Sequence, residues 1–212
     1  YGLVGSEMCI RDRLTYTLPH AELNLPHDSI YKMYENSFEE TPYIGKFDKV
    51  YGGYNTSEKP LASFAAMVSR LDKYVGDVMA ELKELGLDKN TIVIFASDHG
   101  ETMCSQRTDD PKNSPYSESM NIPFLVRFLG KIQPRVDDLL LSAPDIMPTV
   151  LGLCGLGDSI PSEVQGRNFA PLFFDEKAEI VRPAGALYIQ NLDGEKDEKG
   201  LVQSYFLSLI HI

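Results

Sequence analysis

Apolar side chains between positions 62 and 85 recur at intervals of three or four residues, which is the pattern of one face of an α-helix. Charged side chains fall largely on the other face of the same segment. Gly86 follows, and glycine accepts the left-handed backbone conformation that ends many helices. The pattern therefore predicts an amphipathic helix over residues 62–85.

A continuous β-favouring run occupies residues 91–96, shortly after that helix. Such a run is typical of a strand buried on both faces of a parallel sheet. Residues 123–128 and 185–189 are two further strand candidates, and residues 144–153 predict a short helix with proline near its first turn. A helix that leads into a buried strand indicates an α/β fold.

Composition excludes some classes of partner. The hydrophobic content of 43% is ordinary for a globular protein, but the formal charge of -11 argues against a nucleic-acid surface, which needs clustered Lys and Arg. No apolar run reaches the roughly 20 residues of a membrane-spanning helix. The three cysteines match neither a disulfide framework nor a Cys-x-x-Cys pair, so they leave the redox compartment open.

Both ends of the chain are interpreted as foreign to the fold. Residues 1–13 and 207–212 resemble translated sequencing-adaptor readthrough, and we exclude both from functional reasoning. On this interpretation the chain is a fragment, and a missing upstream segment is expected.

The residues with the clearest chemistry lie at the carboxyl end of the predicted strand 91–96, where α/β proteins bind ligands. Asp98 offers an anionic oxygen, His99 an imidazole nitrogen, and Gly100 a sharp backbone turn. Two adjacent ligands of this kind can share one cation. The alternative is structural, with Asp98 capping a following helix and His99 a satisfied polar residue. The motif alone leaves both interpretations open.

Several blocks resemble, in order, the sulfatase family of the alkaline phosphatase superfamily. The blocks are residues 17–23, 97–101, 112–119, 122–124, 145–149 and 164–167. The resemblance covers most of residues 14–175, which it implies are the later part of a catalytic domain, and residues 176–206 would begin a C-terminal subdomain. It implies an incomplete α/β fold whose mostly parallel sheet is sandwiched by helices.

The resemblance also implies site residues. Asp98 and His99 match two ligands of the family's divalent cation, usually calcium. His20 would donate a proton or contact sulfate, and Lys112 would contact the sulfate and the leaving oxygen. These roles suit a reaction in which negative charge grows on the bridging oxygen. The alternatives are that His20 is a structural histidine in a loop and that Lys112 is an ordinary surface lysine.

The nucleophile implied by the resemblance is a formylglycine made from cysteine in a Cys-x-Pro-Ser-Arg-like motif. No such motif occurs, and neither does the acidic pair that completes the family's metal site. Cys9 lies in the adaptor-like segment. Cys104 lies close after residues 97–101, which is not the part of the chain where the family places its nucleophile. We therefore expect the nucleophile upstream, and we expect the fragment itself to be inactive.

The full-length protein is accordingly expected to be a sulfuric ester hydrolase that acts on a small-molecule or carbohydrate sulfate ester. One alternative is a phosphatase, phosphodiesterase or phosphonate hydrolase of the same superfamily, and another is a non-catalytic binder of sulfated glycans. The upstream nucleophile would separate them. By resemblance alone the protein is expected to be periplasmic or extracellular, while the particular ester and the oligomeric state stay open.

Overall fold

The computed structural model describes residues 13–20, 23, 25–43, 56–103, 105, 116–191 and 205–210. The helices are α1 (Ser29–Tyr34), α2 (Pro60–Glu84), α3 (Ser117–Met120), α4 (Ala143–Leu153) and α5 (Ala170–Phe174), with a 3₁₀ turn at Gly157–Ser159. The strands are β1 (Ile92–Ala96), β2 (Phe124–Phe128), β3 (Ala186–Asn191) and β4 (Tyr205–Ile210). The chain divides into two compact units, residues 1–81 and 82–212. Among the described residues, no helix combines the length and the apolar character needed to cross a membrane.

Helix α2 confirms the predicted amphipathic helix to within two residues at its start. Ala62 and Ala66 on its buried face pack with Tyr31 of α1 to form the core of the first unit. At its end, Gly86 adopts a positive φ of 69°. The Gly86 N–H donates to the Lys83 carbonyl at 3.1 Å and the Leu87 N–H to the Leu82 carbonyl at 2.9 Å, which is the Schellman pattern. The predicted stop at Gly86 is therefore confirmed.

The start of α2 is capped by a residue from a distant part of the first unit. Glu40 accepts the Leu61 N–H at 3.0 Å through one carboxylate oxygen and the Ala62 N–H at 2.8 Å through the other. These N–H groups belong to the first turn, which has no intrahelical acceptor, and the positive end of the helix dipole favours the carboxylate. Glu40 thus ties the loop before α2 to the helix itself.

Replacing Glu40 with glutamine is expected to lower the free energy of unfolding by about 1 kcal/mol, because the amide keeps one acceptor oxygen but loses the charge and the second acceptor. The measurement is urea denaturation followed by circular dichroism. Glu39→Gln is the matched control, because Glu39 is exposed and makes no such bond. An equal loss in the two variants would contradict the capping role.

Helix α1 lies among the described residues that precede α2 in the first unit. Asp28 caps it by accepting the Ile30 N–H at 3.0 Å and the Tyr31 N–H at 3.2 Å. The same carboxylate pairs with the guanidinium of Arg70 on α2. The hydrogen bond from Arg70, supported by the backbone bonds, holds the pKa of Asp28 below its ordinary value.

Strands β1 and β2 of the second unit pair antiparallel, with Ile92 opposite Phe128 and Ala96 opposite Phe124. The strand predictions for 91–96 and 123–128 are confirmed, but parallel pairing is found in neither described pair, since β3 and β4 are also antiparallel. A continuous apolar run indicates burial and not strand direction. The side chains of β1 are only half-buried along residues 92–95, and Leu125 is 58% exposed.

The core of the second unit lies where α4 meets α5. Phe169, Leu172 and Leu153 are each less than 5% exposed. Helix α4 confirms the helix predicted for residues 144–153, with Pro144 in its first turn. Beyond it, the segment that leads to α5 is fastened to α4 by Thr149, whose hydroxyl accepts the Phe169 N–H at 3.0 Å.

Strand β3 confirms the strand predicted for residues 185–189, and its partner β4 runs over residues 205–210. Strand β4 therefore overlaps the segment 207–212 that the sequence marked as a foreign tail. A hydrogen-bonded partner does not reveal where a segment came from, so that interpretation, like the boundary at 175, stays a prediction.

Candidate metal centre

The Asp98 and His99 side chains project from a short interruption in an antiparallel ladder. Pairing of β1 with β2 ends at Ala96 and Phe124. Beyond residues 97–99 the contact resumes, because the Gly100 N–H donates to the Ser119 carbonyl at 2.9 Å and the Glu101 N–H to the Glu118 carbonyl at 2.7 Å. Residues 97–99 thus lie opposite residues 120–123 in an interval closed at both ends. Bulges of this kind redirect side chains out of a ladder.

At Gly100 the two backbones lie too close together to admit a side chain. A Cβ atom at this position would overlap the Glu118 carbonyl oxygen and lie 2.7 Å from the Ser119 carbonyl oxygen. These are backbone atoms, which cannot move aside as a flexible side chain could. Gly100 was expected to allow a sharp backbone turn. In the structure its missing side chain instead permits the close contact with α3.

Within the interval, the His99 ring is oriented by its neighbours. Its Nδ1 lies 2.6 Å from the Gly100 carbonyl oxygen, and since a carbonyl oxygen only accepts, Nδ1 carries the proton. The Nε2 lone pair of the neutral ring is then available to a ligand. The backbone is held as well, because the Ser97 hydroxyl donates to the His99 carbonyl at 2.7 Å.

Asp98 and His99 fit a shared divalent cation. Asp98 Oδ1 lies 3.8 Å from His99 Nε2, and the two side chains are 86% and 35% exposed. Two donors that each lie about 2.3–2.6 Å from one cation can be 3.8 Å apart. Among the described residues, no group of three or more His, Cys, Asp or Glu side chains is arranged to hold a metal ion. The role of Asp98 and His99 as metal ligands stays a prediction.

The other two predicted site residues belong to other parts of the chain. His20 is exposed in the first unit, in a turn closed by its own N–H, which donates to the Thr17 carbonyl at 2.8 Å. Lys112 lies outside the described residues, as does Cys104. His27, for which no role was predicted, stacks on Tyr31 with ring centroids 4.3 Å apart. The roles of His20 and Lys112 stay predictions.

Glu118 and Ser119 are the site residues whose contribution sequence reasoning missed. They fall in the block that resembles the family's lysine-bearing segment, but they act through their backbone carbonyls, which support the turn that carries Asp98 and His99. Every residue has a backbone carbonyl, so the sequence does not show which of them make a contact. The available signal was Gly100 itself, since glycine has no Cβ and allows another backbone to approach closely.

A second cluster of charges, in the second unit, lines an open cleft of about 560 Å³. Arg182 donates to Asp137 at 2.6 Å and to Asp138 at 2.8 Å, and Arg135 donates to Asp137 at 3.3 Å. The hydrogen bond from Arg182 holds the pKa of Asp137 below its ordinary value, against the effect of burial. The arginines are occupied by carboxylates, so the cluster is a structural ion-pair network.

Comparison with solved structures finds the same fold in another ester hydrolase. The phosphonate monoester hydrolase of Agrobacterium radiobacter matches 86% of this chain and 41% of its own with a TM-score of 0.65, and at 22% identity the likeness shows the fold alone. The chain itself belongs to the sulfatase family, whose family model, described as Sulfatase, matches residues 20–156. The predicted α/β class and the predicted family are confirmed.

Two relatives come from Bacteroides thetaiotaomicron. A curated endo-4-O-sulfatase is 86% identical over 145 residues, which are 68% of this chain and 28% of that protein. A solved 4S-sulf structure, described with a locus for the metabolism of multiple glycosaminoglycans, is 64% identical, with a TM-score of 0.73 over 92% of this chain and 40% of that one. The chain thus spans less than half the length of either relative.

Proposed function

We propose that the protein carrying this sequence hydrolyses sulfate esters with the help of a divalent cation. The observation that carries the proposal is the adjacent pair of donors, Asp98 Oδ1 and His99 Nε2, 3.8 Å apart in an interval of the ladder closed at both ends. Membership of the sulfatase family supports the same reaction.

The proposed roles of the cation, Lys112 and His20 follow from the negative charge of the sulfate ester. A cation bound at Asp98 and His99 would offset negative charge on the sulfate oxygens. Lys112 would contribute a compact positive charge to the sulfate and the leaving oxygen. His20 would deliver a proton to the leaving oxygen.

The proposed cation is calcium, and the proposed nucleophile is a formylglycine that the described chain does not contain. Calcium favours oxygen ligands and binds more of them than the single carboxylate found here, so further carboxylates are expected elsewhere in the longer protein. The proposed location is the periplasm or the extracellular space, in keeping with the family resemblance.

The proposed substrate is a 4-O-sulfate ester within a carbohydrate chain. Its support is the 86% identity to a protein named endo-4-O-sulfatase, because that identity extends over the segment with the donor pair. A second relative, a Delta 4,5-hexuronate-2-O-sulfatase from the same organism, is 33% identical over 126 residues, which are 58% of this chain and 26% of that protein. The large difference in identity favours the 4-O position.

The test is sulfate release by the protein at the full length of its relatives. We expect sulfate from a 4-O-sulfated glycosaminoglycan oligosaccharide, none from its 2-O-sulfated counterpart, and none from the 4-O-sulfated substrate after removal of divalent cations with a chelator. The same substrate with phosphate in place of sulfate is the control for chemistry. Faster release of phosphate than of sulfate would contradict a sulfatase, and equal release from the two sulfate positions would contradict the proposed substrate.

A further inference from the structure

We infer that Gly100 is the positioning residue of the cation site, acting on His99 through its carbonyl and on the whole turn through its missing side chain. The inference rests on the proposed function in one respect only, the assignment of Asp98 and His99 to the cation. Gly100 contributes no donor to the metal, so its effect on binding is indirect.

The first arm of the inference is the tautomer of His99. The two ring nitrogens of histidine are distinct, and the hydrogen bond made by one decides which is free to bind metal. The 2.6 Å contact from His99 Nδ1 to the Gly100 carbonyl fixes the proton on Nδ1. This contact presents Nε2, the nitrogen 3.8 Å from Asp98 Oδ1, in its lone-pair form.

The second arm is the contact with α3. The Gly100 carbonyl can hold His99 only while the Gly100 backbone is itself held, and the bonds from Gly100 and Glu101 to residues 118–119 hold it. Ser119 is buried, so this support is part of the packed structure and not a loose edge. Any side chain at position 100 would push the turn away from the Glu118 and Ser119 carbonyls. The turn that carries both donors would then lose its fixed geometry.

The experiment that tests the first arm is long-range ¹H–¹⁵N NMR of the histidine rings in the intact chain, at about pH 8.5, above the usual titration range of histidine. The chain has four histidines, and His99→Gln identifies the His99 signals. We expect His99 in the Nδ1–H form in the wild type, and a shift towards a mixture of tautomers in Gly100→Ala. An Nε2–H form of His99 in the wild type would overturn the inference.

The second arm is tested by adding Mn²⁺ up to concentrations on the order of millimolar and following the broadening of the His99 ring signals. We expect Gly100→Ala to need about tenfold more Mn²⁺ for equal broadening, the usual effect of losing an orienting contact to a metal ligand. Gly76→Ala is the matched control, because a Cβ at Gly76 meets nothing within 4 Å. Unchanged Mn²⁺ dependence in folded Gly100→Ala would overturn the inference.

If Gly100→Ala does not fold, amide hydrogen exchange in the wild type tests the inference instead. We then expect the Gly100 and Glu101 amide hydrogens to exchange more slowly than that of the exposed Lys89, and exchange at the free-peptide rate would overturn the inference. None of these measurements depends on turnover. Loss of sulfatase activity in the longer protein would therefore leave the result on Gly100 intact, and the reverse also holds.

Discussion

Replacing Asp145 with alanine is expected to lower the free energy of unfolding by about 1–3 kcal/mol, because a buried carboxylate that accepts three hydrogen bonds is lost. Asp145 is 5% exposed in the first turn of α4. One carboxylate oxygen accepts the Arg167 N–H at 2.8 Å, and the other accepts the Ser142 hydroxyl at 2.6 Å and the Ser142 N–H at 3.0 Å. Alanine would remove the capping box of α4 and the bond that ties Arg167 to the helix.

The destabilisation should depend on pH in a definite direction. Burial alone would raise the pKa of Asp145, but the bonds from Arg167 and Ser142 outweigh it and hold the pKa below its ordinary value of 3.8. A carboxylate with a lowered folded pKa contributes stability above its unfolded pKa and loses it as the pH falls through the folded value. The difference between wild type and Asp145→Ala should therefore be full near pH 7 and should shrink in acid.

The measurement is urea denaturation of both proteins from neutral pH down to about pH 3, where this linkage acts. Asp158→Ala is the matched control, since Asp158 is an exposed carboxylate in the nearby 3₁₀ turn. We expect little change in that control at any pH. A constant difference between wild type and Asp145→Ala across the pH range would show that the carboxylate's charge is not what stabilises α4.

Local patterns were sufficient to predict most of the secondary structure in the described chain. The bounds of α2, β1, β2 and α4 fall within two residues of the predicted ones, because apolar periodicity and punctuating Gly or Pro are recorded in the sequence itself. The short helices α3 and α5 were missed. A helix of one turn has too few residues to show a period, and its formation depends on tertiary contacts.

Tertiary features were harder to predict for the same reason. Glu40 caps a helix whose first turn lies some twenty residues further along the chain, and nothing near Glu40 in the sequence marks it as a cap. The antiparallel pairing of β1 with β2 was likewise not predicted, because an apolar run does not show in which direction a strand pairs with its neighbour. The Asp98–His99 pair was predicted because its chemistry lies in side chains, while its support by residues 118–119 lies in the backbone.

Replacing Asp98 with alanine in the protein at the length of its relatives is expected to lower kcat/KM for sulfate release by roughly 10³-fold, since one anionic ligand and the charge balance of the site are lost together. The loss of kcat/KM in His99→Asn is expected to be much smaller if the cation is calcium, because the asparagine amide supplies an oxygen, which calcium prefers. A cation that favours imidazole nitrogen, such as zinc, would instead lose affinity strongly. Both variants are assayed over a calcium titration, with Asp158→Ala as the control. A severe loss in His99→Asn that added calcium does not restore would contradict calcium, whereas full activity in Asp98→Ala would contradict the assignment of the metal centre.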